Sequence, residues 1–391
     1  MRPELNPYSP GSGLNPPHLV GRQAEIDAFD LVVARTRAGH HNRGMILHGL
    51  RGVGKTVLLN QFREQAERAE WFIIELEGRP TETGQEAVRQ RLARLMMLAG
   101  RRFLRGKHAT GKVKQALGTI KSFSLSLGVA SVELGLDANP GRADSGQIEI
   151  DFEELVEDLA PALREASSAF ALFIDEMQDL DSELVVALLA AQHRAGQKNW
   201  PFYIFGAGLP SLPSVLSEAR SYAERLFNYR NIGALERPAA ADALTVPATR
   251  QGARYEDEAI NVIVDAARGY PYFLQTYGQS AWGIAEGRVI TADDAREAII
   301  EGNAELDMGF FPARWDRATP AERNYLRAMA RDGEDGSRTS ELAERLKVKP
   351  ASLSPARQNL ISKGIIFMPE RGRVAFTVPN MAAFIQRQFA D

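Results

Sequence analysis

Residues Gly49-Leu50-Arg51-Gly52-Val53-Gly54-Lys55-Thr56 spell a complete G-x-x-x-x-G-K-[ST] pattern between the apolar run Met45-Ile46-Leu47 and the helix-forming stretch Val57 to Phe62. Phosphate binding is the chemistry of that spacing. Glycines free the backbone to wrap around phosphate oxygens, while successive N–H groups and the positive end of the following helix attract anions. Lys55 is placed to reach the β- and γ-phosphates and the Thr56 hydroxyl to ligate Mg²⁺. A chance glycine-rich turn would lack the flanking strand and helix that the motif needs.

A second chemical signal is Ala171-Leu172-Phe173-Ile174-Asp175-Glu176, four apolar residues ending in two carboxylates. A parallel strand buried on both faces is apolar throughout, and its C-terminal end opens at the ligand crevice. Such an ending is common by itself. Paired with a phosphate loop about 120 residues upstream, it reads as a Walker B strand. Asp175 would then hold Mg²⁺ through its water shell, and Glu176 would act as general base on the attacking water. Both carboxylates together imply hydrolysis as well as binding.

The elements that must position these groups follow from patterning. From Gly44 onward short apolar runs alternate with helical patterns, which predicts an α/β fold with a parallel sheet and helices on both faces. At 391 residues the chain has room for two or three domains, and its net charge of −3 singles out neither nucleic acid nor membrane as a partner of the whole. Without cysteine there can be no disulfide, thiolate zinc site or Cys nucleophile, which fits a cytoplasmic setting. No apolar run is long enough to span a membrane, and residues 1–17, rich in Pro, Gly and Asn, read as an extended arm. Residues 101–121 carry Arg101, Arg102, Arg105, Lys107, Lys112, Lys114 and Lys121 and no acid. After them Phe123, Leu125 and Leu127 alternate with serines, and Val132, Leu134 and Leu136 repeat the period beyond Gly128, which predicts a β-hairpin over 121–136. Phe202 to Phe205 is a further strand, ending in Gly206-Ala207-Gly208.

This order of motifs resembles the AAA+ ATPases of the origin-recognition-like, archaeal-type group, related to the STAND signalling ATPases. His18-Leu19-Val20-Gly21-Arg22 is similar to the family's entry segment, which implies that Val20 and Gly21 border the adenine. In the family a polar sensor follows the fourth strand; here the matching residues are glycine and alanine, with Ser211 as a substitute. The resemblance implies an arginine finger in Ser221 to Phe227, with Arg225 first and Arg220 second; the alternative is a surface arginine paired with a nearby glutamate. Arg268-Gly269-Tyr270-Pro271 resembles the turn that opens the last lid helix, with Pro271 fixing the first helical turn and Arg268 a second sensor near the phosphates. On this reading the ATPase core covers 18–235, with the basic insert at about 100–150, and a helical lid covers 236–305.

Residues 306–391 read as a winged helix-turn-helix. Thr319-Pro320-Ala321-Glu322 is a capping box with proline at the first helical position. A second helix runs over Thr339 to Leu346 and a third over Pro350 to Lys363, within which Pro355 either kinks the helix or delays its start to Ser354. Ile365 to Met368 and Val374 to Val378 flank a basic turn. From Arg317 onward the chain carries thirteen basic and eight acidic residues, a charge of +5 against −8 for the rest, and that asymmetry favours DNA. The candidate contacts are Lys347, Lys349, Arg357, Arg371 and Arg373, mostly to phosphates; a protein-docking or lid-packing module is the alternative.

The expectation is an ATP- and Mg²⁺-dependent switch, cycling between ATP and ADP, that works as a homo-oligomer or with an effector protein and couples nucleotide state to DNA or partner binding. A slowly hydrolysing signalling scaffold and a transcription regulator in which ATP only sets shape are the alternatives.

Overall fold

The structure is a computed structural model and describes residues 1–11, 13–105, 111–129 and 137–389. The chain divides into two compact units. One comprises Arg22–Gly49 and Lys55–Asn231; the other comprises Met1–Gly21, Leu50–Gly54 and Ile232–Asp391.

The first unit is built on five parallel strands, β1 (Gly44–His48), β2 (Phe72–Glu77), β3 (Phe170–Asp175), β4 (Phe202–Gly208) and β5 (Phe227–Asn231), in the order β2-β3-β4-β1-β5. β3 and β4 are buried almost end to end, as strands covered on both faces must be. Side chains alternate between the faces. Phe173 and Phe205 meet Phe29 of α1 (Gln23–Arg37), which stacks at 4.7 Å on Phe62 of α2 (Lys55–Arg68). On the other face Phe170 and Phe202 meet Phe152, of the helix Ile148–Glu165. That face is covered by α3 (Glu82–Arg105), α4 (Gly111–Ser126), α5 (Ile148–Glu165) and α6 (Ser182–Lys198), and the short α7 (Leu212–Ala219) and α8 (Ala223–Leu226) follow β4. Burying one such phenylalanine contributes about 1.5–3 kcal/mol, and a well-placed aromatic pair adds about 1 kcal/mol.

The expected hairpin over 121–136 is corrected: its first half is the end of α4, and 130–136 lie outside the described residues. The serines that mimicked solvent-facing positions are held inside. Ser124 donates to the Ala93 carbonyl and Ser122 to that of Asn139, while Leu125 is exposed. Of the basic run, Arg101, Arg102 and Arg105 fall on α3 and Lys112, Lys114 and Lys121 on α4; Lys112 pairs with Glu165, and Lys107 lies outside the described residues.

The second unit begins with the N-terminal arm, which is seated rather than free. Tyr8 is 2% exposed, its hydroxyl lies 2.5 Å from the Leu244 carbonyl oxygen and 2.8 Å from the Tyr255 hydroxyl, and its ring lies on Gly278, where a Cβ would meet it at 2.8 Å. The lid comprises α9 (Arg237–Arg250), α10 (Asp257–Ala267), α11 (Pro271–Ile284) and α12 (Ala292–Glu305), with the strand pair β6 (Arg254–Tyr255) and β7 (Val289–Ile290). A π-helical turn, Leu306–Phe310, and α13 (Pro312–Trp315) lead into the C-terminal module. There α14 (Pro320–Ala330), α15 (Thr339–Arg345) and α16 (Ser354–Ser362) accompany a small antiparallel sheet of β8 (Ser337–Arg338), β10 (Arg373–Phe376) and β9 (Ile366–Phe367), in that order. Thr319 and Glu322 close a reciprocal capping box. A 3-10 turn, Pro350–Leu353, precedes α16, so Pro355 sits in its first turn and delays the helix instead of kinking it. A final helix, α17 (Met381–Phe389), stacks Phe384 on Phe311 at 5.1 Å and pairs Arg387 with Asp307. Among the described residues no helix is long and apolar enough to cross a membrane.

Candidate nucleotide site

Strand parity delivers the first contact of the site. Asp175 closes β3 on the face of Phe173, which α2 covers, and the second residue of α2 is Thr56. The Thr56 hydroxyl therefore donates to Asp175 Oδ2 at 2.7 Å although 119 residues separate them. The Glu176 N–H donates to the other carboxylate oxygen at 2.9 Å. Burial raises the Asp175 carboxyl pKa above its ordinary value, and these two hydrogen bonds oppose the shift.

Lys55 is 8% exposed and donates to the Gly49 carbonyl at 3.0 Å. Burial, and secondarily the Lys55 charge, lower the pKa of the neighbouring His48. Gly52 and Gly54 hold φ of +80° and +91°, values that side chains resist, so the loop requires glycine at both places. A Cβ on Gly52 would also lie 2.9 Å from Tyr270 Cε1. The donor set suits Mg²⁺, which prefers one carboxylate or hydroxyl with waters and substrate phosphates to an all-protein cage. Among the described residues no cluster of three metal-binding side chains occurs.

Glu176 has left-handed backbone, φ 46° and ψ 44°, a conformation costing on the order of 1 kcal/mol or more in a non-glycine residue. A Cβ at Gly78 would stand 2.2 Å from the Glu176 carbonyl oxygen, so the end of β2 leaves room for this bend only as glycine. The bend lets Gln178 Nε2 donate to Glu176 Oε2 at 2.7 Å while Gln178 Oε1 accepts from the Leu209 N–H at 3.0 Å. Here the missing polar sensor finds a physical reason. A Cβ at Gly208 would fall 2.3 Å from Gln178 Oε1, and one at Gly206 2.6 Å from Met177 Sδ. The amide beside the end of β4 comes from Gln178, which sequence reasoning missed because it stopped at the acidic pair.

The other expected residues are placed as follows. Gly21, at φ +66°, packs on Leu235 and Ala239, with Val20 half-buried beside it. Leu50, Arg51 and Val53 fill the loop between the glycines, Val53 buried. Gly269 has φ +68° and a Cβ there would lie 2.2 Å from the Leu235 carbonyl oxygen; the Leu235 N–H donates back to Gly269 at 2.8 Å. Pro271 opens α11, and Arg268 caps α10 with its charge acting on Glu334 of the C-terminal module. Arg225 is exposed on α8, whereas Arg220 is tied to Glu149 at 2.7 Å. Lys347, Lys349 and Arg371 are exposed, Arg357 lies near Ser354, and Arg373 is held by the Asp335 carbonyl at 2.7 Å.

Residues 18–204 match the family model of the AAA ATPase domain. This region is an AAA ATPase domain. Residues 308–385, beyond the AAA domain, match a domain family of unknown function, DUF8462. No curated protein matches the chain. Among solved structures the chain is similar to a Walker-type ATPase of Pyrococcus abyssi, at 16% identity and a TM-score of 0.59, covering 94% of this chain and 96% of that one. It also matches the Thermotoga maritima RuvB Holliday junction branch migration motor, at 17% identity and a TM-score of 0.46 over 91% and 92% of the two chains. The Aeropyrum pernix Orc1 protein in complex with DNA matches at 16% identity and a TM-score of 0.45 over 95% and 93%.

Proposed function

We propose that the chain is an ATP-hydrolysing switch whose nucleotide state controls DNA binding by the C-terminal module. The observation that carries the hydrolytic half is the linked set Thr56, Asp175, Glu176 and Gln178, which joins the phosphate loop to an acidic pair through hydrogen bonds of 2.7–3.0 Å. Bound Mg²⁺ would supply charge neutralisation for the phosphates. The loop N–H groups and Lys55 hold phosphate oxygens, with Lys55 exchanging the Gly49 carbonyl for them. Thr56 and Asp175 hold the cation and its waters. Glu176 takes the proton of the attacking water, and Gln178 fixes the direction in which its carboxylate points. Arg225, exposed on its short helix, serves a neighbouring copy of the chain.

The DNA half rests on the +5 charge from Arg317 onward and on the exposed Lys347, Lys349 and Arg371. ATP turnover measured with and without duplex DNA at low salt tests it. Stimulation lost in an Arg371→Ala/Arg373→Ala protein supports the coupling, and absence of any DNA affinity sinks it. The half-engaged wing, where Arg373 is bound to Asp335, favours a second reading as a nucleotide-controlled scaffold for a protein effector. That reading keeps slow hydrolysis and drops the DNA.

A further inference from the structure

Within the second unit, the phosphate-loop residues Leu50–Gly54 share a cluster with the segment that enters the C-terminal module. Arg314, on α13, donates from Nη1 to the Phe310 carbonyl at 2.6 Å and lays its guanidinium over the Phe310 ring at 4.0 Å. Its Nε is buried without a hydrogen-bond partner, and it forms no ion pair among the described residues. The groups that act most strongly on its charge are two phenols, Tyr270 and Tyr272, and two further cations, Arg51 and Arg317. Tyr270 is 2% exposed, rests on Gly52, and its hydroxyl is also buried without a partner. A dehydrated guanidinium beside like charge is costly unless an anion completes it. Burial accordingly lowers the Arg314 pKa to about 10, with Arg51 adding to the shift.

We infer that Arg314, Arg51 and the Tyr270 hydroxyl form a polyphosphate-accepting pocket beside the phosphate loop, through which bound nucleotide grips the segment leading into the C-terminal module. The inference rests on nucleotide binding as proposed above and adds a route by which that binding is felt outside the AAA domain. Arg314 is then a binding residue. It contacts the anion and carries the adjoining π-helical turn with it, an element type often found at functional sites.

The test uses the full chain, fluorescent ATPγS and ADP analogues, and hydrogen exchange over 306–315. Arg314→Met keeps the stem over Phe310 and removes the charge. It is expected to weaken ATPγS binding about 10- to 100-fold and to abolish the nucleotide-induced protection of 306–315, with melting of the nucleotide-free protein unchanged. Arg314→Lys should recover part of the affinity, since it restores charge without the planar fork. Wild-type affinity and protection in Arg314→Met, with binding lost in Lys55→Ala, would overturn this inference alone. Failure of the wild-type chain to bind either nucleotide would instead sink the proposed function. Pyrophosphate is the second probe: protection of 306–315 as strong as that given by ATPγS would assign the pocket to a free anion and overturn the link to nucleotide.

Discussion

The acidic end of β3 and the basic residues of the C-terminal module hold their charges in opposite ways. Asp175 and Glu176 are tied to Thr56 and Gln178 by hydrogen bonds near 2.7 Å, on backbone that glycines at 78, 206 and 208 allow to approach closely. Lys347, Lys349 and Arg371 stand exposed, and Arg373 is already bound to a carbonyl. Reaction chemistry needs groups fixed within tenths of an ångström, whereas phosphate-backbone contacts need charge and reach. The first region should therefore fail steeply on single substitutions and the second only gradually.

The steepest expected failure is Glu176→Gln, which keeps shape and removes the base. Turnover should fall about 10²–10⁴-fold with ATP still bound, and near-normal single-turnover rates would assign the water to another residue. Next comes Lys55→Ala, for which equilibrium binding of ATP should be lost by about 100-fold or more; retained affinity would break the site assignment. Gly208→Ala sharpens the contrast further. A Cβ there would meet Gln178 Oε1 at 2.3 Å and Leu212 Cδ2 at 2.8 Å, so the fold should lose about 1–3 kcal/mol while turnover drops roughly tenfold. If turnover holds, Gln178 is packing only. The smallest effect belongs to the C-terminal module, where hydrogen bonds from Arg345 at 2.6 and 2.9 Å hold the Asp332 carboxyl below its usual pKa. A depressed carboxylate adds stability that is present above its unfolded pKa and disappears as pH falls through the folded one. Asp332→Asn should cost about 1 kcal/mol at neutral pH and flatten the acid limb of the melting curve; an unchanged limb would remove the pair from the ledger.

What could be read before folding follows the same division. The parallel sheet, the lid and the C-terminal hairpin were legible because buried strands are apolar throughout and helix starts carry caps such as Thr319 and Glu322, whereas the half-exposed β5 and the two-residue β8 carry no such run. The acidic pair was legible because β3 ends where its apolar residues end. The period-two serines of 122–126 misled because a buried hydroxyl bonded to a carbonyl has the same sequence signature as a solvated one. Gln178 escaped notice, and Tyr270 was read only as part of the lid turn, because their roles depend on close approach to Glu176 and Gly52, and no periodicity encodes distance across a fold. α17 was missed because its apolar face answers Phe311, a partner 73 residues earlier than Phe384.

The seating of Tyr8 against Leu244 and Tyr255 has a consequence for biosynthesis. The arm leaves the ribosome before the lid, and its seat is completed only after residues 236 and 247 positions later have been made. Residues 22–231 can meanwhile assemble their sheet from chain already at hand, apart from the loop at 50–54. Closing contacts over such separations is entropically slow, so the second unit should be the last part of a nascent molecule to acquire its final form.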